Sequence, residues 1–223
     1  METRKSKFSD PILQRLVDYL CATQTGDRKS ISHADSSINE LVREVAAPLR
    51  KAAVLIPVTR SGPNTASQIV LTVRSENLKS HAGQISLPGG TREDHDSDDI
   101  ETALRESEEE IGLKPEDVEV LGQLGEIAVP SGFCVTPIIG LVDSGLSLTP
   151  CPIEVAAIFQ VPLELLLNPA SYSSSMMTFN QIPRKILELT YGEYRIWGVT
   201  AAILYHLARE VESFKQDSCE QKE

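Results

Sequence analysis

"GTREDHDSDDIETALRESEEEIGL", residues 90–113, places four glutamates, Glu106, Glu108, Glu109 and Glu110, within five positions, directly after Arg105. Asp96, Ser97 or Asp98 can cap a helix that runs from about Asp98 to Ile111, and Gly112 followed by Lys114-Pro115 stops it. Residues three and four apart share a helix face, so Glu106, Glu109 and Glu110 project together while Glu108 points elsewhere. Ile100, Ala103 or Leu104, Ser107 and Ile111 occupy another stripe that faces the core. Arg105 stands four before Glu109, where its guanidinium can pair with a carboxylate and hold one rotamer. Like charges at these spacings repel by roughly 0.2–0.5 kcal/mol per pair. A solvated face usually alternates signs, and this one supplies no lysine. A hard divalent cation supplies the missing charge, since Mg²⁺ takes oxygen ligands from a few carboxylates plus substrate phosphates. Gly89 and Gly90, one loop earlier, let the backbone come close and offer a carbonyl to the same ion.

The rest of the composition narrows the partners. A formal net charge of -11 over 223 residues argues against nucleic acid or an anionic membrane as the main partner. An anionic small molecule then needs bound metal or a local basic patch. Arg74, Lys79, His81 and Arg92 supply such a patch within nineteen residues, and phosphate groups favour arginine and lysine. Cys21, Cys134, Cys151 and Cys219 are far apart and form no CxxC pair, so free thiols are expected. Asp10, Arg15 and Asp18 interrupt the one N-terminal apolar run, and no apolar stretch is long enough to span a bilayer. A cytoplasmic protein is expected, with a homodimer left open.

Strands mixed with helices predict one α/β or α+β domain over residues 51–213. A helical extension over 1–50 precedes it and a solvated tail over 214–223 follows. The extension carries Ile12, Leu13, Leu16, Val17 and Leu20, then Ile38, Leu41, Val42 and Val45, at helical spacing. Strands are expected at 52–58, 68–74, 118–124, 133–142, 155–163 and over "ILELTY", and a long helix over "GVTAAILYHLAREVESF". Glu76 to Gly90 reads as a polar loop, and Ser173 to Met177 as a plain loop that could instead edge a pocket. Trp197 reads as core packing at a helix start rather than a stacking platform.

Residues 90–113 resemble the Nudix box, G-x5-E-x7-R-E-U-x-E-E-x-G-U with U aliphatic. Gly90, Arg105, Glu106, Glu109, Glu110, Gly112 and Leu113 match. Asp96 stands in place of the first glutamate, one extra residue precedes Arg105, and Ser107 replaces the aliphatic residue. "LTVRSENLKSHAGQISLPGG", residues 71–90, is similar to the segment that marks the coenzyme A pyrophosphatase branch. Arg74, Ser75, Gly83, Pro88, Gly89 and Gly90 match, while Lys79 and Leu87 replace an arginine and a phenylalanine.

The resemblance implies a Nudix fold, a mixed β-sheet sandwiched between helices, over most of the chain after residue 50. It also implies Mg²⁺ or Mn²⁺ held by Glu106, Glu109, Glu110 and Gly90, and hydrolysis of the diphosphate in coenzyme A or its thioesters. Glu109 or Glu110, with Arg105 beside them, carry the catalytic expectation, and Arg74, Lys79, His81 and Arg92 the substrate contacts. Glu126 and Glu154, at strand ends, could supply a base but read first as ordinary strand-end carboxylates. Other nucleoside diphosphate substrates (ADP-ribose, a dinucleoside polyphosphate or NADH) and a nucleotide-sensing domain without turnover are the rival readings.

Overall fold

The computed structural model describes residues 8–23, 28–43, 48–62, 65–179 and 181–220. Two helices, α1 (Pro11–Thr23) and α2 (Ser36–Arg43), precede the strands β1 (Arg50–Thr59), β2 (Gln68–Arg74), β3 (Ile85–Ser86) and β4 (Gly89–Thr91). Helix α3 (Asp99–Ile111) leads to β5 (Glu119–Gln123), β6 (Ile127–Val129), β7 (Phe133–Val142) and β8 (Val155–Pro162). The short α4 (Leu163–Leu166) is followed by β9 (Ser173–Phe179), β10 (Ile182–Tyr191), β11 (Tyr194–Trp197) and α5 (Gly198–Glu220).

An eight-stranded sheet runs β3-β2-β1-β7-β5, with β4 on β1, β6 on β7 and β8 on β2. Among the described residues its one parallel pair joins β1 to β7 in register from Arg50↔Phe133 to Thr59↔Val142. Both strands are apolar over nearly their whole length because both faces are covered. The period of two divides them. Ala53, Leu55, Val70 and Ile138 pack towards Ala103 and Ile111 of α3, whereas Ile56, Val58, Ile69 and Leu71 pack into the cluster that holds α1 and α5. The result is the expected mixed α+β architecture, with a sheet between helical layers.

Helix α3 forms as its sequence dictates. Asp98 caps it, accepting the Glu101 N–H at 2.9 Å. Gly112 ends it in the left-handed region at φ 67°, and the Leu113 N–H reaches back to the Ser107 carbonyl. Ser107, where an aliphatic residue was expected, is fully buried and donates its hydroxyl to the Ala103 carbonyl at 2.6 Å.

Several segments differ from the sequence reading. The run from Ser173 is strand β9, paired with β10 from Ser173↔Glu188 to Phe179↔Ile182. Serines have weak strand preference, and the distant partner supplies the ladder. The polar loop before Gly90 contains β3 and part of β4, each too short to show a period. Helix α5 continues to Glu220, into the segment expected as a tail; residues 221–223 lie outside the described residues, as does Val45 of the second N-terminal pattern. The helical extension shares the main core. Leu13 and Leu16 are fully buried there, and Asp10 caps α1 through Ile12 while accepting the Ser67 N–H at 2.9 Å.

Candidate active site

The glycine pair and the acidic helix meet at the sheet. β4 pairs with β1, Ala53 opposite Gly90 and Val54 opposite Gly89, and α3 lies against both strands. A Cβ on Gly90 would stand 2.5 Å from the Glu106 carboxylate, so this glycine makes the space that the side chain occupies. Gly89, at φ 150°, would bring a Cβ within 2.3 Å of the Ala53 carbonyl oxygen, a backbone clash that no rotamer relieves. Its N–H donates to Glu110 Oε2 at 3.2 Å.

The three predicted carboxylates differ in environment. Glu110 is 3% exposed, Glu106 15% and Glu109 58%. Burial pushes the Glu110 carboxyl up to about 7; the Gly89 N–H and Arg74 oppose this, and Glu154 and Glu106 add to it. Burial also raises Glu106, against the pull of Arg105. Burial thus disfavours the charged form of both carboxyls, and both lie against a backbone that glycine leaves open. Oxygen donors of this kind fit a hard divalent cation. Among the described residues no three such side chains converge to hold a metal ion, and Glu106 and Glu109 both bond Arg105.

Arg105 does more than brace Glu109. Its Nε and Nη2 form a fork on Asp96, at 3.0 Å to Oδ1 and 3.0 Å to Oδ2. Nη2 also reaches the Thr91 carbonyl at 3.1 Å and Glu106 Oε1 at 3.1 Å, and Nη1 meets both Glu109 oxygens at 3.3 Å. One guanidinium thus ties the loop after β4 to two of the three glutamates. The Asp96 side chain is fully buried, and Arg105 holds its carboxyl well below the usual range. The sequence offers Asp96 as a helix cap and as a substitute for the box's first glutamate. Its position in the place of the box's first glutamate was the signal that it belongs to this network.

The four basic candidates separate. Arg74 lies with Nη1 3.9 Å from Glu110 Oε1, and its buried Nε has no hydrogen-bond partner among the described residues. His81 bonds Gln84 Oε1 at 3.0 Å. Both line a cavity of about 600 Å³ that Gly89 and Gly90 also line. Lys79 is exposed on the same loop and does not line it. Arg92 is drawn into structure instead: it bonds Asp99 at 3.2 Å and the Asp96 and Ser97 carbonyls at 3.3 and 2.7 Å. Trp197 is half-buried against the cavity, and the core position falls to its neighbour Ile196. Of the two strand-end acids, Glu154 acts electrostatically on Glu106 and Glu110. Glu126 pairs instead with Lys51 and accepts the Cys134 thiol.

The site thus sets buried carboxylates of α3 against the Gly89-Gly90 backbone and the Arg74 guanidinium. The NUDIX domain signature matches residues 49–169, a span that contains every one of these carboxylates. An uncharacterised Nudix hydrolase NudL of Photorhabdus laumondii is 42% identical over 163 residues, 73% of this chain and 86% of its own. One from Yersinia pestis is 39% identical over 166 residues, 74% of this chain and 82% of its own. Among solved structures, the Nudix hydrolase RenU of M. Smegmatis covers 52% of this chain and 72% of its own at 25% identity, with a TM-score of 0.44. The chain belongs to the Nudix family and is a pyrophosphohydrolase of nucleoside diphosphate derivatives.

Proposed function

We propose that the chain hydrolyses the diphosphate of coenzyme A and its thioesters, releasing 3′,5′-ADP and 4′-phosphopantetheine or its acyl derivative. The observation that carries this reading is the cavity. Gly89, Gly90 and Arg74, neighbours of the α3 carboxylates, line it together with a largely apolar set of side chains and the basic His33, Arg184 and Lys185. Coenzyme A has the corresponding form, a diphosphate joined to a long uncharged arm.

Glu106, Glu109, Glu110 and the Gly90 carbonyl would hold Mg²⁺ or Mn²⁺, which when bound neutralises phosphate oxygens and lowers the pKa of coordinated water. Arg105 holds Glu106 and Glu109 in fixed rotamers. Arg74 offers its free donors to a phosphate oxygen. Glu109 or Glu110 orients the attacking water and takes its proton. The water oxygen bonds to one phosphorus as the bridging P–O bond breaks, so each product leaves with one of the two phosphates. His81, and Lys79 from the solvent side, are placed on the loop that can meet the ribose 3′-phosphate.

The test is a panel of coenzyme A, dephospho-coenzyme A, ADP-ribose, a dinucleoside tetraphosphate and NADH, with products identified by mass. Preferred cleavage of coenzyme A over dephospho-coenzyme A is expected. Cleavage of ADP-ribose, the tetraphosphate or NADH with coenzyme A left intact overturns the reading.

A further inference from the structure

Two sets of basic side chains line the cavity. Arg74 and His81 belong to the segment leading into Gly89 and Gly90, and Arg74 stands beside Glu110. The second set, His33, Arg184 and Lys185, comes from the segment before α2 and from β10, outside the span of the family signature. The chain holds 32 aspartates and glutamates, yet not one of the described residues lining this cavity is acidic. An anion that enters meets positive charge on the wall, in a protein whose net charge of -11 otherwise repels it.

The geometry of β10 explains how Arg184 comes to this wall. Successive residues of a strand point to opposite faces of its sheet, and residues directly paired across strands share a face. Leu189 and its partner Ile196 are buried in the main core. Arg184 and Ile186 lie on the opposite face, with Met177 paired to Arg184 and Trp197 paired to Glu188, and all four line the cavity.

Arg184 is half-buried and donates to the Ser37 hydroxyl, which donates in turn to Asp35. Asp35 is the acidic neighbour of Arg184, but its oxygens already accept the Ser37 hydroxyl, the Ser37 N–H at 2.9 Å and the Lys185 N–H at 2.9 Å. The Ser37 bond uses one of the five N–H donors that an arginine carries. Lys185 joins this tie between α2 and β10 only through its backbone, so its exposed ammonium has no part in holding the fold. His33 Nε2 donates to the Ala128 carbonyl at 2.7 Å, which holds the ring in place.

We propose that Arg184 and Lys185, with His33 on the same wall, form a second anion site in the cavity. Resting on the reading above that this cavity receives the substrate, the site holds an anionic group separate from the diphosphate, either a phosphate monoester on the ribose or a carboxylate at the end of an acyl arm. Both are oxyanions that a guanidinium fork and an ammonium recognise. Arg74, beside the α3 carboxylates, is left to the diphosphate.

The experiment measures kcat/KM, with Mg²⁺ present, for pairs whose members differ by one anionic group: coenzyme A and dephospho-coenzyme A, succinyl- and butyryl-coenzyme A, NADPH and NADH. Wild type is compared with Lys185→Ala, Arg184→Gln and Lys114→Ala. A charge-assisted contact favours its ligand by about tenfold to a hundredfold. Wild type should therefore prefer the charged member of at least one pair by that factor, and the pair that responds identifies the group. Lys185→Ala and Arg184→Gln should each reduce that preference by about tenfold. The change should fall on KM rather than kcat, because the contact is made equally in the ground and transition states. Arg184→Gln keeps a donor for Ser37, and Lys185→Ala keeps the N–H that Asp35 accepts, so α2 stays tied to β10. Lys114, exposed and away from the cavity wall, is the control, and its variant should keep the wild-type preference. Equal kcat/KM within every pair, or a preference that both β10 variants retain, overturns the site, and the coenzyme A reading stands wherever coenzyme A itself is cleaved. Cleavage of NADH or NADPH with coenzyme A and its thioesters left intact overturns the coenzyme A reading, and the NADPH-to-NADH ratio in the same variants then decides the site.

Discussion

Replacing Glu110 with glutamine removes one buried charge while keeping the side chain's shape and an acceptor for the Gly89 N–H. The carboxyl is 3% exposed, and burial lifts it from its ordinary 4.5 to about 7. A displacement of that size corresponds to about 3 kcal/mol. Because the folded value lies above the unfolded one, the folded protein binds more protons between about pH 4.5 and 7. Wild-type stability therefore falls as pH rises through that interval and stays at the lower level above it. Glutamine does not titrate. In urea unfolding with a chelator present, Glu110→Gln is expected to match wild type near pH 4 and to exceed it by about 2–3 kcal/mol near pH 8, less what Arg74 loses as a partner. Added Mg²⁺ should then stabilise wild type more than the variant. A difference that does not change with pH, or a variant less stable near pH 8, would show that the buried carboxylate is structural and refute the reasoning.

The two glycines should respond differently to alanine. Gly90→Ala should fold, because only the flexible Glu106 carboxylate must move, but turnover should fall by roughly a hundredfold. Gly89→Ala should instead lower stability by about 2 kcal/mol or more, since its Cβ meets the Ala53 carbonyl, and a thermal melt reads this directly. Arg105→Lys keeps a charge but loses the fork on Asp96, so stability should drop by about 2 kcal/mol and turnover with it; unchanged values for both would show that charge alone suffices. Arg92→Ala should cost about 1 kcal/mol by loss of its bonds to Asp99 and the loop, with KM unchanged. A raised KM at wild-type stability would restore Arg92 to the substrate site.

Helix α3 was legible because everything that specifies it is local: Asp98 before it, Gly112 after it, and the spacing of Glu106, Glu109 and Glu110 between. The apolar runs of β1 and β7 were legible as strands, but not as parallel neighbours, since their pairing joins residues more than eighty positions apart. Strand β9 was hidden because its serines show no preference that the partner β10 does not supply. The fork between Arg105 and Asp96 needed the loop's path, which brings a residue nine positions earlier back over the helix. The cavity was least legible of all. Arg74 and His81 were read from the segment leading into Gly89 and Gly90, whereas other walls of the cavity come from α2, β9, β10 and α5.

Whether the carboxylates of α3 drive hydrolysis of a coenzyme A diphosphate is tested most directly by the products formed from coenzyme A by wild type and by Glu110→Gln, with Mg²⁺ present. The expected result is equal amounts of 3′,5′-ADP and 4′-phosphopantetheine from wild type, formed at least about a hundredfold more slowly by the variant. Intact coenzyme A after incubation with wild type, or an undiminished rate in Glu110→Gln, would contradict it.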